Sequence, residues 1–280
     1  MFLLVFLFTQ LPEPVALQPL VDATPEGGTL ELAALTYLGP VDLNRSIKLQ
    51  GRGPGSTLIS GQQKGPTVVV WAPGADIQIA DLSIVDGRTP MGDEPRVVRG
   101  RIRVNAAALG AVAARRLSLR NIVVTHNSAE QHLVYLGRML EVTVEDLEIH
   151  HNSGAAVRLG SYQSLHADVG TTVDLKNVSI HHNRHERYGL SFFGAYQIAI
   201  AGLKIFDSDY QNAPSEICQH GILITLAGNL RTPILLEQID IAPIQNRGKR
   251  CPTIKALPPV PIQIKNAPDP VAPKNVELVH

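Results

Sequence analysis

The sequence is poor in charge and balanced in sign. Only 18% of its 280 residues are Asp, Glu, Lys or Arg, 25 of each sign, so the formal net charge is zero. Nucleic acid and anionic membrane surfaces are bound through a basic excess that this chain lacks, so neither is expected as a partner. Cysteine is scarce: Cys218 and Cys251 are the two present. Neither stands in a CxxC or Cys/His spacing, which argues against a thiolate zinc site at these residues. In an oxidising compartment they could pair and close a loop worth roughly 4 kcal/mol, whereas in a reducing one they stay thiols. Aromatics are 5%, so the 44% of apolar residues that promise a sizeable core are mostly aliphatic. Long hydrophobic runs are also missing. Met1 to Phe8 is unbroken apolar sequence, far short of the roughly 20 residues a bilayer span needs, so no span is expected. It resembles the core of a secretory signal, although no Lys or Arg precedes it and no clean small-x-small site follows. The expectation is a hydrophobic leader over 1–15 and a secreted or periplasmic protein, with a hydrophobic N-terminal cap as the competing reading. Residues 16–280 are expected to form one domain.

What is present is self-similarity. Ile77-Gln-Ile-Ala-Asp81-Leu-Ser-Ile84, Leu117-Ser-Leu-Arg-Asn121-Ile-Val-Val124 and Val142-Thr-Val-Glu-Asp146-Leu-Glu-Ile149 share one pattern. Val173-Asp-Leu-Lys-Asn177-Val-Ser-Ile180, Ile198-Ala-Ile-Ala-Gly202-Leu-Lys-Ile205 and Ile234-Leu-Leu-Glu-Gln238-Ile-Asp-Ile241 continue it, and Asn275-Val-Glu-Leu278 reads as a partial copy. Successive copies start 40, 25, 31, 25 and 36 residues apart, a base period near 25 with loop insertions. Each is a pair of short alternating strands broken by Asn, Asp, Gly or Gln. A third strand follows a turn: Val134-Tyr-Leu136, Val157-Arg-Leu159, Leu190-Ser-Phe192, Ile222-Leu-Ile224 and Ile262-Gln-Ile264. One repeat cannot bury its own inward face, but copies stacked as parallel strands about 4.8 Å apart can. The pattern therefore predicts an all-β parallel β-helix, a single-stranded solenoid of about nine coils. A sandwich would instead need a succession of hairpin turns, which the chain lacks. Helical periodicity is confined to the region of Val15 to Val21, read as an N-terminal cap. Asn127, Asn152 and Asn183 fall at one repeat position, with Gly87 and Ser208 at the same place. They predict a hydrogen-bonded asparagine ladder.

The opening coils, Leu17-Gln-Pro-Leu-Val-Asp22, Gly27-Gly-Thr-Leu-Glu-Leu32 and Ser46-Ile-Lys-Leu-Gln-Gly51-Arg-Gly-Pro-Gly-Ser-Thr57-Leu-Ile-Ser-Gly61, together with the repeats, resemble the pectin lyase-like right-handed parallel β-helix superfamily. The resemblance covers roughly residues 16 to 280 and implies the right-handed form of the fold. It does not fix an activity, because that fold carries lyases, hydrolases, esterases, epimerases and non-catalytic binders. The Asn-Thr-Asp and Asp-Asp elements of polygalacturonases are absent, and Gln219-His220-Gly221 is only a partial echo of their Gly-His-Gly. The Arg-x-Pro-x-x-Arg of pectate lyases is absent too. So are the Asp-Phe-x-Phe-Gly of pectin methylesterases and the Asp-Pro-His of alginate epimerases.

Two repeat-aligned tracks carry candidate chemistry. The first is Asp86, His126, His151, His182 and Asp207, with His150 and His181 beside it. His126, His151 and His182, stacked one above another, could hold a divalent metal if their rotamers brought the nitrogens together; otherwise they form a solvated turn surface. The second track lies on and before the third strand: His132, Tyr135, Arg158, Tyr188, Ser191 and His220, with Arg187, Asp209 and Glu216 on nearby loops. Such a face suits sugars, since aromatics stack on rings and cations pair with uronate carboxylates. A lyase would use Arg158 or Arg187 to neutralise the uronate and Tyr188, His182 or His220 as base. A hydrolase would need two carboxylates from Asp207, Asp209 and Glu216. The candidate catalytic set is thus Arg158, His182, Tyr188, Asp207 and His220, and the candidate substrate-binding set Tyr135, His132, Arg187, Asp209 and Glu216. The expectation is an exported protein acting on an acidic or mixed polysaccharide, with a non-catalytic glycan-binding or surface-structural protein as the rival. The insertion from Asp86 to Arg103 could wall the cleft, and the Pro-rich stretch from Pro252 is read as closing the last coil.

Overall fold

The computed structural model describes residues 13–89, 96–98, 101–103, 106–159, 171–184, 188–193, 196–207, 220–225, 234–241, 245–246, 249–250, 254–257, 262–265 and 276–278. Among them the chain is almost entirely β. Twenty strands belong to one sheet whose pairings are parallel, and two short antiparallel hairpins stand apart. One of these hairpins pairs Arg96–Val98 with Arg101–Arg103, inside the insertion that follows Asp86.

The repeat seen in the sequence is the pairing register of the sheet. Ile77 stands beside Leu117, Leu117 beside Val142, Val142 beside Val173 and Val173 beside Ile198. Each pass of the chain thus lays its residues on the equivalent residues of the pass before. Alternation decides the faces: Ile77 and Ile79, Leu117 and Leu119, Val142 and Val144, Val173 and Leu175, Ile198 and Ile200 are all buried. Like shapes over like fill a continuous aliphatic core, and each such side chain contributes about 1.5–3 kcal/mol.

The residue that interrupts each copy is a backbone device. Asp81, Asn121, Asp146, Asn177 and Gln238 have φ between 51° and 56°, and Gly202 has φ 72°. Asn and Asp tolerate this left-handed conformation better than other side-chain-bearing residues, which is why they recur there. They also bond between passes: the Asn121 amide donates to Asp81 Oδ1 at 2.6 Å and the Asn177 amide to Asp146 Oδ1 at 3.0 Å. The chain turns at this residue without leaving the sheet, so Ala106–Thr125 and Thr171–His181 are each one continuous strand instead of the two short ones expected.

At the N-terminal side, Leu17–Ala23 is a helix, close to the helical segment expected from Val15 to Val21. Leu17 and Val21 drop into the core. Gln18 accepts from the Asp42 backbone N–H at 2.7 Å, and Arg45 donates to the Val21, Asp22 and Thr24 carbonyls at the helix end.

The C-terminal strands are assigned differently from expectation. Ile262–Lys265 pairs with Ile234–Glu237, so it continues the first strand of the repeat and not the third. The third-strand row instead runs His220–Thr225, Ile254–Leu257, Val276–Leu278. Val276–Leu278, from the partial copy, therefore belongs to that row. An apolar-x-apolar triplet reads the same on any row, and only the loop length distinguishes them.

Candidate functional site

The turn before the third strand holds the asparagine column. Asn127, Asn152 and Asn183 are buried. Asn127 Nδ2 donates to Asn152 Oδ1 at 3.0 Å and Asn152 Nδ2 to Asn183 Oδ1 at 2.9 Å. Each Oδ1 also accepts a backbone N–H from the neighbouring pass: Gly87 to Asn127, Asn127 to Asn152, Asn152 to Asn183. Gly87 thus heads the column, and its own lack of a side chain is required, because a Cβ there would collide with the Ala107 carbonyl. The expected ladder is present as a structural element. Ser208 lies outside the described residues.

Immediately before these asparagines stand the histidines. His126, His151 and His182 are exposed and hold φ 58°, 53° and 51°, as do Asp86 above and Asp207 below at 54° and 47°. His151 and His182 stack face to face with centroids 5.3 Å apart and planes 7° from parallel; His126 and His151 are 6.2 Å apart at 12°. A second column runs beside it: His150 over His181 at 5.3 Å and 6°, then His181 over Phe206 at 4.9 Å and 15°. Neighbouring histidines meet edge to face, with Nδ1 to Nδ1 distances of 2.7 Å for His150 and His151 and 2.8 Å for His181 and His182. The sequence placed His150 and His181 beside the track but gave no role to Phe206, Thr125 or Glu148. Thr125 Oγ1 takes the place of a partner ring for His126, at 3.0 Å, and Glu148 Oε1 holds His181 Nε2 at 2.9 Å. Burial pushes the His150 pKa below its ordinary value; Glu148 opposes this, and the neighbouring His181, His151 and His126 add to it. Imidazole binds a metal in the plane of its ring, so the parallel planes of His126, His151 and His182 do not converge on one point. Among the described residues no group of three or more His, Cys, Asp or Glu is arranged to hold a metal ion.

The third-strand row carries a different cluster. Register puts Gly110, Tyr135, Arg158 and Ser191 side by side on successive passes. Tyr135, Arg158, Ser191 and His132 are all buried. Tyr135 and Ala106 form a small apolar cluster separate from the main core, with Val69 and Val112 against it, so this is the outer side of the sheet. His132 stacks on Tyr135 with centroids 6.1 Å apart, and its Nε2 lies 3.4 Å from Arg158 Nη1. Burial first, and the Arg158 charge second, push the His132 pKa down to about 3. His132 is therefore neutral at ordinary pH and is suited to hydrogen bonding, not to acting as a base near neutrality. Tyr188 and His220 stand beside each other in register farther along the row.

One residue of this face went unnoticed in the sequence. Trp71, the only tryptophan, is 46% exposed. It lies two positions after Val69 on the same strand, and Val69 stands beside Gly110 at the head of the Tyr135–Arg158 register. Trp71 itself stands beside Ala113, and Ala113 beside Arg138. Period-2 alternation after a buried Val70 was the signal that could have placed it outside.

His182 and Asp207 sit at the turn before the asparagine position, while Arg158, Tyr135 and His132 lie on the following strand row. Arg187, Asp209, Glu216, Cys218 and Cys251 fall outside the described residues, and with them the expected disulfide and the expected carboxylate pairs. No family model, curated protein or solved structure matches this chain.

Proposed function

We propose that the chain is an exported right-handed parallel β-helix of the pectin lyase-like kind that acts on an acidic polysaccharide through the outer face of its third strand row. The observation that carries this reading is the placing of an exposed Trp71 on the same face as the Arg158, His132 and Tyr135 cluster. An indole stacks on the apolar face of a sugar ring, and a guanidinium pairs with a uronate carboxylate in a bidentate fork. The parallel like-over-like register and the asparagine column support the helical architecture.

Of the two chemistries, elimination suits this face better than hydrolysis. Hydrolysis needs two opposed carboxylates, and Asp207 lies off this row. In elimination Arg158 neutralises the carboxylate, a base on the row (Tyr188 or His220) takes the proton from the carbon beside it, and the bond to the leaving sugar oxygen breaks. That oxygen then takes up a proton and a carbon–carbon double bond remains. The burial of Arg158, His132 and Tyr135 favours a second reading, a glycan-binding protein without catalysis, because it limits the reach of substrate to the cation.

The test uses the full chain with oligouronides and neutral oligosaccharides. Trp71 fluorescence reports binding, and ultraviolet absorbance of unsaturated ends reports elimination. Binding of oligouronides that is lost in Arg158→Met by Trp71 fluorescence, and in Trp71→Ala by titration calorimetry, supports the site, and absorbance growth supports the lyase. Binding without absorbance supports the non-catalytic reading. No fluorescence response to any acidic glycan overturns both.

A further inference from the structure

The paired histidines form a chelating edge that the polysaccharide reading does not use. We propose that His181 and His182 bind one divalent late transition-metal ion, copper(II) or nickel(II), through their two Nδ1 atoms, with solvent completing the coordination. The ligands come from across the two columns and not from along one of them.

The geometry carries this. The two Nδ1 atoms are 2.8 Å apart. For metal–nitrogen bonds of about 2.0–2.1 Å that separation subtends roughly 85° at the ion, the cis angle of square-planar or octahedral sites. A tetrahedral zinc site opens to about 109° and would hold the nitrogens roughly 3.3 Å apart. Copper also heads the divalent affinity order at imidazole ligands.

The protonation pattern is set by Glu148. Its Oε1 lies 2.9 Å from His181 Nε2. A carboxylate only accepts, so Nε2 carries the hydrogen, and in the neutral ring Nδ1 is left as a lone pair facing His182. The proton between the two Nδ1 atoms then belongs to His182; on metal binding it leaves Nδ1 for solvent while the exposed Nε2 takes one up, so His182 stays neutral and Nδ1 becomes the second lone pair. A histidine ligand held through its second nitrogen by a carboxylate is the usual outer shell of a metal site. His182 is exposed and His181 half-buried, so one side is open to solvent and the other is held.

The pass above repeats the motif with His150 and His151 at 2.7 Å, and the pass above that does not, because Thr125 stands where the second ring would be. The pairs are stacked 5.3 Å apart. Two divalent ions at that spacing repel enough to weaken the second by on the order of ten- to a hundredfold in salt solution. Occupancy of one ion per chain is therefore expected, on the pair that Glu148 supports.

The experiment is titration of the full, tag-free chain with copper(II), read by visible absorption and by the nitrogen hyperfine pattern of its electron paramagnetic resonance. The expected result is one ion with two imidazole nitrogens, and at least tenfold weaker binding in the double variant His150→Ala/His181→Ala, which breaks both pairs and leaves His126, His151 and His182 in place. His126→Ala should bind as the wild type does, because His126 has no imidazole partner at its Nδ1. In the wild-type chain, the histidine resonances of 181 and 182 should broaden first with substoichiometric copper, a readout that needs no variant to fold. Three results overturn the proposal: no one-to-one binding; loss in His126→Ala equal to that in the double variant, which would point to the single column; and unchanged binding in His150→Ala/His181→Ala.

Discussion

Replacing Asn152 by Ala isolates the energetic role of the buried column. Asn152 does not sit in the left-handed conformation, which its neighbour His151 adopts, so the substitution adds no backbone strain. It removes the acceptor for the Asn127 backbone N–H and the donor to the Val124 carbonyl, both in buried bonds at 2.9 Å. It also removes the donor to the His150 carbonyl at 2.8 Å. A buried backbone group left without a partner costs about 1–3 kcal/mol, so two of them amount to about 2–6 kcal/mol. Asn177→Ala is the control. That side chain is exposed and gives up one bond to Asp146, and alanine at its positive φ adds about 1–2 kcal/mol of backbone cost. Urea unfolding at neutral pH, followed by far-ultraviolet circular dichroism, compares the midpoints at a common slope. A loss below about 1 kcal/mol for Asn152→Ala, or one no larger than that of Asn177→Ala, would refute the reasoning that satisfied amides and not core aliphatics hold the turns together.

Other outcomes follow from the same geometry. The His132 pKa is depressed from 6.5 to about 3 in the folded chain. Its contribution is fully present above 6.5 and is lost as pH falls toward the folded value, at about 1.4 kcal/mol per pH unit. Between neutrality and pH 4.5 this amounts to about 3 kcal/mol, and His132→Gln should remove that share of the acid sensitivity; parallel pH profiles for the two proteins would contradict it. Gly87→Ala should destabilise by about 1–3 kcal/mol, because the added methyl must displace the Ala107 carbonyl. Calorimetry that finds the variant as stable as the parent would show that this close approach relaxes freely. Arg158→Lys should weaken oligouronide binding nearly as much as Arg158→Met, since an ammonium lacks the bidentate fork; full retention in Arg158→Lys would reduce the role to a point charge.

The parts of this structure that obey simple periodicity were legible in the sequence. Ile77, Leu117, Val142, Val173 and Ile198 fell into line because inward positions recur every second residue and each pass has two left-handed turn residues at a fixed spacing. The asparagine column was legible because a short amide at a fixed turn position has few other uses. The rows at the C-terminal side were not, since Ile262-Gln-Ile264 and Ile254-Lys-Ala256 carry the same alternation on different rows. Nor was the burial of Arg158 and Tyr135. Alternation says on which side of a strand a residue stands, not what lies over that side. The edge-to-face meeting of His150 with His151 depends on a left-handed turn at the second residue, a dihedral that a histidine doublet does not announce by itself.

The register also has a mechanical consequence. Each pass is hydrogen-bonded chiefly to the one before and the one after, with strands lying across the direction in which passes succeed one another. Tension applied along that direction would load one row of bonds at a time, and the protein would unzip in steps. Each step would release the slack of a single repeat, and the longer insertions would give the longer steps.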